Sequence, residues 1–356
     1  MVRPLHHTET QTTRGEATCA IVAAHNDLLL ELAVRAHRGH ERDPFGAHWL
    51  GQLRAGGVVL QVCPAYPDLD RMPEGSLRQV LGQVAAFHQA VREHGDVVAV
   101  RTAADLVPVG PGERLGLMLS LEGAEPLGYD VWMLNLLWDL GLRMLGLSWN
   151  RRNQFAEGVG ESGAGGLSRL GHEVVTRCAE LGVVVDLAHA SERTFWDVLE
   201  HPDRPAVVVS HAACRALHDH PRNLDDEQLR GLADRGGILG LMLHPLVLGT
   251  GVVTIDGAID HLDHAVKAMG VEHVGLGGDF TRQVVRALGY VGPADTLLPE
   301  GMALDAAVEG LEGPGDYPTL TAALRRRGYE GDLLDSILGG NFLRLFRETL
   351  PNEADS

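Results

Sequence analysis

Lysine is almost missing from this chain: it occurs once, at Lys267, while arginine is abundant. Basic charge as a whole is outweighed, and the formal net charge is -18 at pH 7. Binding a phosphate backbone needs a concentrated basic face, so nucleic acid is excluded as an expected partner. Cysteine is sparse. Cys19, Cys63, Cys178 and Cys214 are scattered with no CxxC pair, so they read as buried free thiols of a reducing compartment, not a disulfide framework. No apolar run approaches the ~20 residues that a membrane span requires. The N-terminal MVRPLHHTETQTTRGEATC has no apolar core of the signal-peptide kind. A cytoplasmic protein without membrane contact is the expectation. Internal repeats, low-complexity tracts and a domain boundary are also lacking. Residues 1–16 form a polar, flexible N-terminal segment, and 17–350 read as a single domain.

What is present is a rhythm. The 356 residues are 45% hydrophobic and 22% charged, enough for a large core. Eight short apolar runs are predicted as strands: 17–24, 56–62, 115–121, 144–148, 183–187, 206–210, 237–243 and 274–278. Helical patterns separate them, as over 74–93, 171–181, 225–235 and 256–269. Continuous apolar runs, not alternating ones, mark strands buried on both faces, the habit of parallel sheets. Eight such units predict an α/β fold, a (β/α)8 TIM barrel. No GxGxxG follows the first strand, which disfavours an open dinucleotide-binding sheet. From Asp279 to about Gly315 a loop is expected. Helices over 317–346 are expected to pack outside the barrel.

The runs end in residues that bind metals. IVAAHND closes with His25 and Asp27, two residues apart and so on one face of a strand. LGLMLSLEG ends at Glu122, VVVDLAH at His189, AVVVSH at His211 and VGLGGDF at Asp279. Barrel active sites form where strands end, and imidazole and carboxylate suit divalent cations. Two histidines, one glutamate and a His-x-Asp pair suffice for two ions, with Glu122 as the natural bridge. Lys267 falls in a predicted outer helix, so a carbamylated lysine, the bridge of some binuclear hydrolases, is not available. Two cations about 3.5–4 Å apart can share a hydroxide and polarise a carbonyl. Asp279 would then hold the water, take its proton and pass it to the leaving nitrogen. His261, His264 and His273 lie on a predicted outer helix and read as packing or surface residues. His218 and His220 read as solvated loop residues, and His244 could line a pocket.

With AHND, SLEG, VVVDLAHAS, VVSHAACRALHDHPRN, HVGLGGDF and the C-terminal YPTLTAALRRRGY and ILGGNFLRLF together, the chain resembles the membrane dipeptidase (renal dipeptidase) family of zinc peptidases, over about Ala23 to Phe346. The resemblance implies hydrolysis of dipeptides by a hydroxide bridging two zinc ions. His25 and Asp27 would hold one ion, His189 and His211 the other, and Glu122 would bridge them. Glu122 and Asp279 would be the catalytic carboxylates, and Arg222 would clamp the substrate's C-terminal carboxylate, a bidentate pairing natural to a guanidinium. It also implies a homodimer. Two departures stand out. Trp149 occupies the place of a family histidine that contacts the scissile carbonyl, and an indole offers only one N–H donor. Asn150 or Asn153 could replace it at the substrate. DFTR at 279–282 replaces the usual DFDG. The alternatives are another small amide, such as an N-acyl amino acid or biosynthetic intermediate, or a non-catalytic metal-bound scaffold.

Overall fold

Segments such as VVLQV and AVVVS are apolar on both faces, so each must be covered on both. In the computed structural model, which describes residues 20–67, 72, 75–163, 165–289, 297–298 and 301–352, they line up as parallel strands. These are β1 (Ile21–His25), β2 (Val58–Ala65), β3 (Val97–Ala99), β4 (Leu115–Glu122), β5 (Leu142–Gly146), β6 (Val184–Asp186), β7 (Val207–Ala212), β8 (Ile238–Met242) and β9 (Val274–Gly278). Neighbours run β2-β1-β9-β8-β7-β6-β5-β4, and β2 pairs with β4, so eight strands close into a barrel. All eight expected strands are present. The flexible segment expected over residues 1–16, and Cys19, lie outside the described residues.

β3 was not foreseen. It pairs with Leu115–Leu117 of β4, below Leu119, where the pairing of β4 with β5 starts, and so extends the wall without joining the ring. A second difference lies after Asp279, where a helix, Thr281–Leu288, replaces the start of the expected loop. Its N-terminus has no side-chain cap, which removed the usual sequence signal. The third concerns the C-terminus. Phe342 and Phe346 of the last helix, Asn341–Thr349, stack on each other at 5.8 Å. They join Val22, Val59, Val184, Val208 and Ile238 in one buried cluster. Those residues start their strands, so this helix closes the N-terminal mouth of the barrel instead of lying outside it. Phe342→Ala there would cost about 3–5 kcal/mol.

A larger apolar layer lies between the strands and the surrounding helices. Cys63, Cys178 and Cys214 are buried free thiols. Among the described residues no helix is long and apolar enough to cross a membrane. With one mouth plugged, the C-terminal ends of the strands are the face left for chemistry.

Candidate metal centre

Met118, Ser120 and Glu122 share one face of β4. Met118 belongs to the inner cluster, so Glu122 points toward the barrel axis. His211 sits where the β7–β8 register slips between Val209 and Ala212. Gly240 and Gly277 make this close approach possible, since a Cβ at either would overlap the Ser210 carbonyl oxygen. His189 and Asp279 lie just beyond β6 and β9 at φ +66° and +60°, unusual for residues with a side chain. The Asp279 N–H donates to the His25 carbonyl at 3.0 Å. One expectation needs correcting. β1 ends at His25, and Asp27 is the cap position of the following helix, Leu28–Arg38. A turn, not the two-residue repeat of a strand, brings Asp27 Oδ1 to 3.8 Å from His25 Nε2.

All five expected ligands and Asp279 converge. Glu122 Oε2 lies 3.7 Å from His25 Nε2. Glu122 Oε1 lies 3.0 Å from His189 Nε2 and 3.6 Å from His211 Nε2. Ligand atoms of His25, Glu122 and His211 are all within 4.8 Å of one another, as are those of His25, Asp27 and Asp279. Except for half-buried Asp27, these side chains are buried.

Hydrogen bonds fix which nitrogens are free. Arg222 Nη2 lies 3.0 Å from His189 Nε2, and a guanidinium can only donate, so that nitrogen carries a lone pair. The proton is then on Nδ1, which donates to Asn150 Oδ1 at 2.6 Å. Ser210 Oγ donates to Asp186 Oδ2 at 2.5 Å and accepts from His211 Nδ1 at 2.7 Å, leaving His211 Nε2 bare as well. The two bare Nε2 atoms stand 2.9 Å apart beside a carboxylate oxygen. Facing lone pairs repel unless a cation lies near them. Asp27 Oδ1 is also buried without a hydrogen-bond partner. This nitrogen and oxygen set fits a divalent ion such as zinc.

Electrostatics point the same way. Burial, reinforced by the nearby Arg222 charge, lowers His25 to about 3. Burial likewise keeps His189 and His211 far below the ordinary imidazole range and therefore neutral. Burial, with repulsion from Asp279, raises Asp27 to about 8 and pushes Glu122 well above the usual carboxylate range through burial and the charges of Asp27 and Asp279. Burial raises Asp279 to about 6, against the pull of Arg222. Three crowded acids with one neighbouring guanidinium are a site short of positive charge.

The cleft above includes Asp27, Trp149, Asn150, Arg222, His244 and Asp279 in its lining. Arg222 is buried, not paired on the surface. The loop that carries it is pinned by Asn223, which binds Ala213 N, His218 O and Val247 O. His220 is buried too, accepting the Arg222 N–H at Nδ1, so it braces the loop and is not solvated as expected. The Trp149 ring lies 5.6 Å from His189 and 5.7 Å from Tyr66. Asn153 turns away, its oxygen accepting from Phe155 N and Ala156 N. Asp186 and Ser210 were missed, although a carboxylate within the apolar run VVVDL was a usable signal.

A model of the membrane dipeptidase family (Peptidase family M19) matches residues 11–302 and 297–355. The chain belongs to this family. Dipeptidase verJ of Clonostachys rogersoniana is 29% identical over 307 residues, covering 83% of this chain and 73% of that protein. Dipeptidase 3 of Rattus norvegicus is 28% identical over 340 residues, covering 92% of this chain but 64% of its own length. A metallopeptidase from Rhodobacter sphaeroides, solved with a phosphinate mimic of the dipeptide L-Ala-D-Ala, superposes with a TM-score of 0.79 at 25% identity, covering 94% of this chain and 100% of that one. Membership of a metallopeptidase family agrees with a barrel whose strand ends gather side chains of metal-binding type.

Proposed function

We propose that this protein is a dipeptidase working with two divalent ions, zinc by ligand type. One observation carries the reading: the two oxygens of Glu122 serve different partners, Oε2 facing His25 and Oε1 facing His189 and His211. A carboxylate shared in this way is what bridging two ions requires. Bound there, the ions would activate water and polarise the scissile carbonyl.

The chain's own groups do the rest. Asp279, beside His25 and Asp27, would accept the proton of the attacking water and return it to the departing amine. Arg222 supplies a buried cation facing the cleft, matched to the free carboxylate of a short peptide. With a cation held by His189, that nitrogen would no longer be open to Arg222, whose Nη2 would keep its bond to the His211 carbonyl while the rest of the guanidinium meets the substrate. Asn150 and the Ser210–Asp186 pair hold both imidazoles with Nε2 forward.

Dipeptides, their C-terminal amides and tripeptides, assayed before and after chelation and zinc return, test this reading. Turnover of free dipeptides alone, lost with metal and regained with it, is expected; activity surviving full demetallation would overturn it. Trp149 in the family's histidine position supports a second reading, a small amide other than a dipeptide. Turnover of N-acyl amino acids with none of dipeptides would select it.

A further inference from the structure

The cleft has two unlike sides. Its β5-to-β7 side carries Trp149, Asn150, His189 and Arg222, while the β8–β9–β1 side carries Leu30, Met242, Leu246, Val284 and Val285, joined by Leu304. The two polar residues on the second side are already occupied. Thr281 Oγ1 donates to the Leu304 carbonyl at 2.6 Å. His244 accepts the Leu246 N–H through Nδ1 at 3.1 Å, and its Nε2 reaches the Leu304 carbonyl at 3.2 Å. Above Asp27 and Asp279, therefore, the described part of this wall is mostly carbon, and the proton of its one hydroxyl is already bonded.

Resting on the dipeptidase reading, the direction of the substrate follows from the two sides. Its carboxylate belongs with Arg222, and its scissile bond belongs over the strand ends that carry Glu122 and Asp279. The residue N-terminal to that bond then reaches the β8–β9–β1 side, its ammonium near the carboxylates of Asp27 and Asp279. We propose that this wall is a side-chain subsite selecting dipeptides whose N-terminal residue is aliphatic or a thioether, with Val284 and Val285 of the helix Thr281–Leu288 as determinants. A charged or amide side chain there would lose water and find at most the Thr281 hydroxyl oxygen in exchange.

The test is kcat/KM of the zinc-loaded enzyme on X-Ala dipeptides, with X as Leu, Met, Val, Gln, Lys or Glu and the C-terminal residue constant. Leu and Met should exceed Lys, Glu and Gln by about 10–100-fold. The Val285→Glu enzyme, checked for folding and metal content, should raise Lys-Ala relative to Leu-Ala by about tenfold. The wild-type panel stands by itself if that variant does not fold. Equal kcat/KM across the panel overturns the proposal and leaves the dipeptidase reading intact. So does an unchanged Lys/Leu ratio in folded, metal-loaded Val285→Glu. Hydrolysis of no dipeptide at all overturns both.

Discussion

Gln283 Nε2 donates to Glu31 Oε2 across 3.0 Å, joining residues 252 positions apart. Each stands four residues after a site carboxylate: Glu31 after Asp27, Gln283 after Asp279. Glu31 is fully buried and also accepts from Arg35 Nε at 2.6 Å and Trp49 Nε1 at 3.0 Å. Gln52 Nε2 in turn donates to Gln283 Oε1 at 2.6 Å. The bond ties together the two helices that begin beside Asp27 and Asp279, whose charges repel.

Gln283→Leu cuts that tie while leaving Glu31 its other donors. Losing one hydrogen bond to a buried carboxylate should cost about 1.5–3 kcal/mol, read by urea unfolding. Small displacements at a reacting centre are expensive, so kcat of the metal-loaded enzyme should fall by about tenfold. A stability loss with kcat unchanged would make the bond purely structural.

Asp186→Asn tests what holds His211. The carboxylate accepts from Ser210 N, Ser210 Oγ and Ala188 N. An amide has one accepting oxygen, so one of these donors would face an NH2 group and the Ser210 hydroxyl would lose its fixed direction. Zinc affinity, measured by competition with a chelator, should fall by about 10–100-fold, with the far-UV spectrum unchanged.

The parts of this molecule that sequence made legible share one property: their signal is local. Eight strands declared themselves because burial on both faces leaves an unbroken apolar run. The candidate ligands and Asp279 stood out because each closes such a run. β3 is three residues long and carries no comparable signal. The helix Thr281–Leu288 follows Phe280, which cannot cap it. Glu31, Gln283, Asp186 and Ser210 matter through partners on other segments, and no spacing within one segment announces that. Trp149 was found by its place in a motif, but its position beside His189 depends on β5 and β6 lying side by side.

Metal binding should release protons, and more of them at low pH. Burial and like charge raise Asp27 to about 8 and hold Glu122 above its ordinary range. A raised acid keeps its proton at neutral pH, and a cation must displace it. Zinc affinity should therefore climb as pH rises toward about 8 and then level off. Calorimetry in two buffers of different ionisation enthalpy reads the count. Greater release at pH ~6.5 than at ~8.5 is expected, and no release at the lower pH would mean the acids are already ionised.

Asp279→Asn separates chemistry from metal loading. The residue sits at φ +60°, a conformation that asparagine tolerates as well as aspartate, so the backbone should not object. What is lost is a base: an amide cannot take the proton of water. Zinc content should stay near that of the wild type, while kcat falls by about 10²–10⁴. Burial raises the Asp279 carboxyl to about 6 in the metal-free protein, and bound cations favour its ionised form. A base works only when deprotonated, so wild-type kcat/KM should rise with pH through a point at or below about 6. The residual activity of Asp279→Asn should lack that limb. If the variant kept the same acid limb, another group would be carrying the proton.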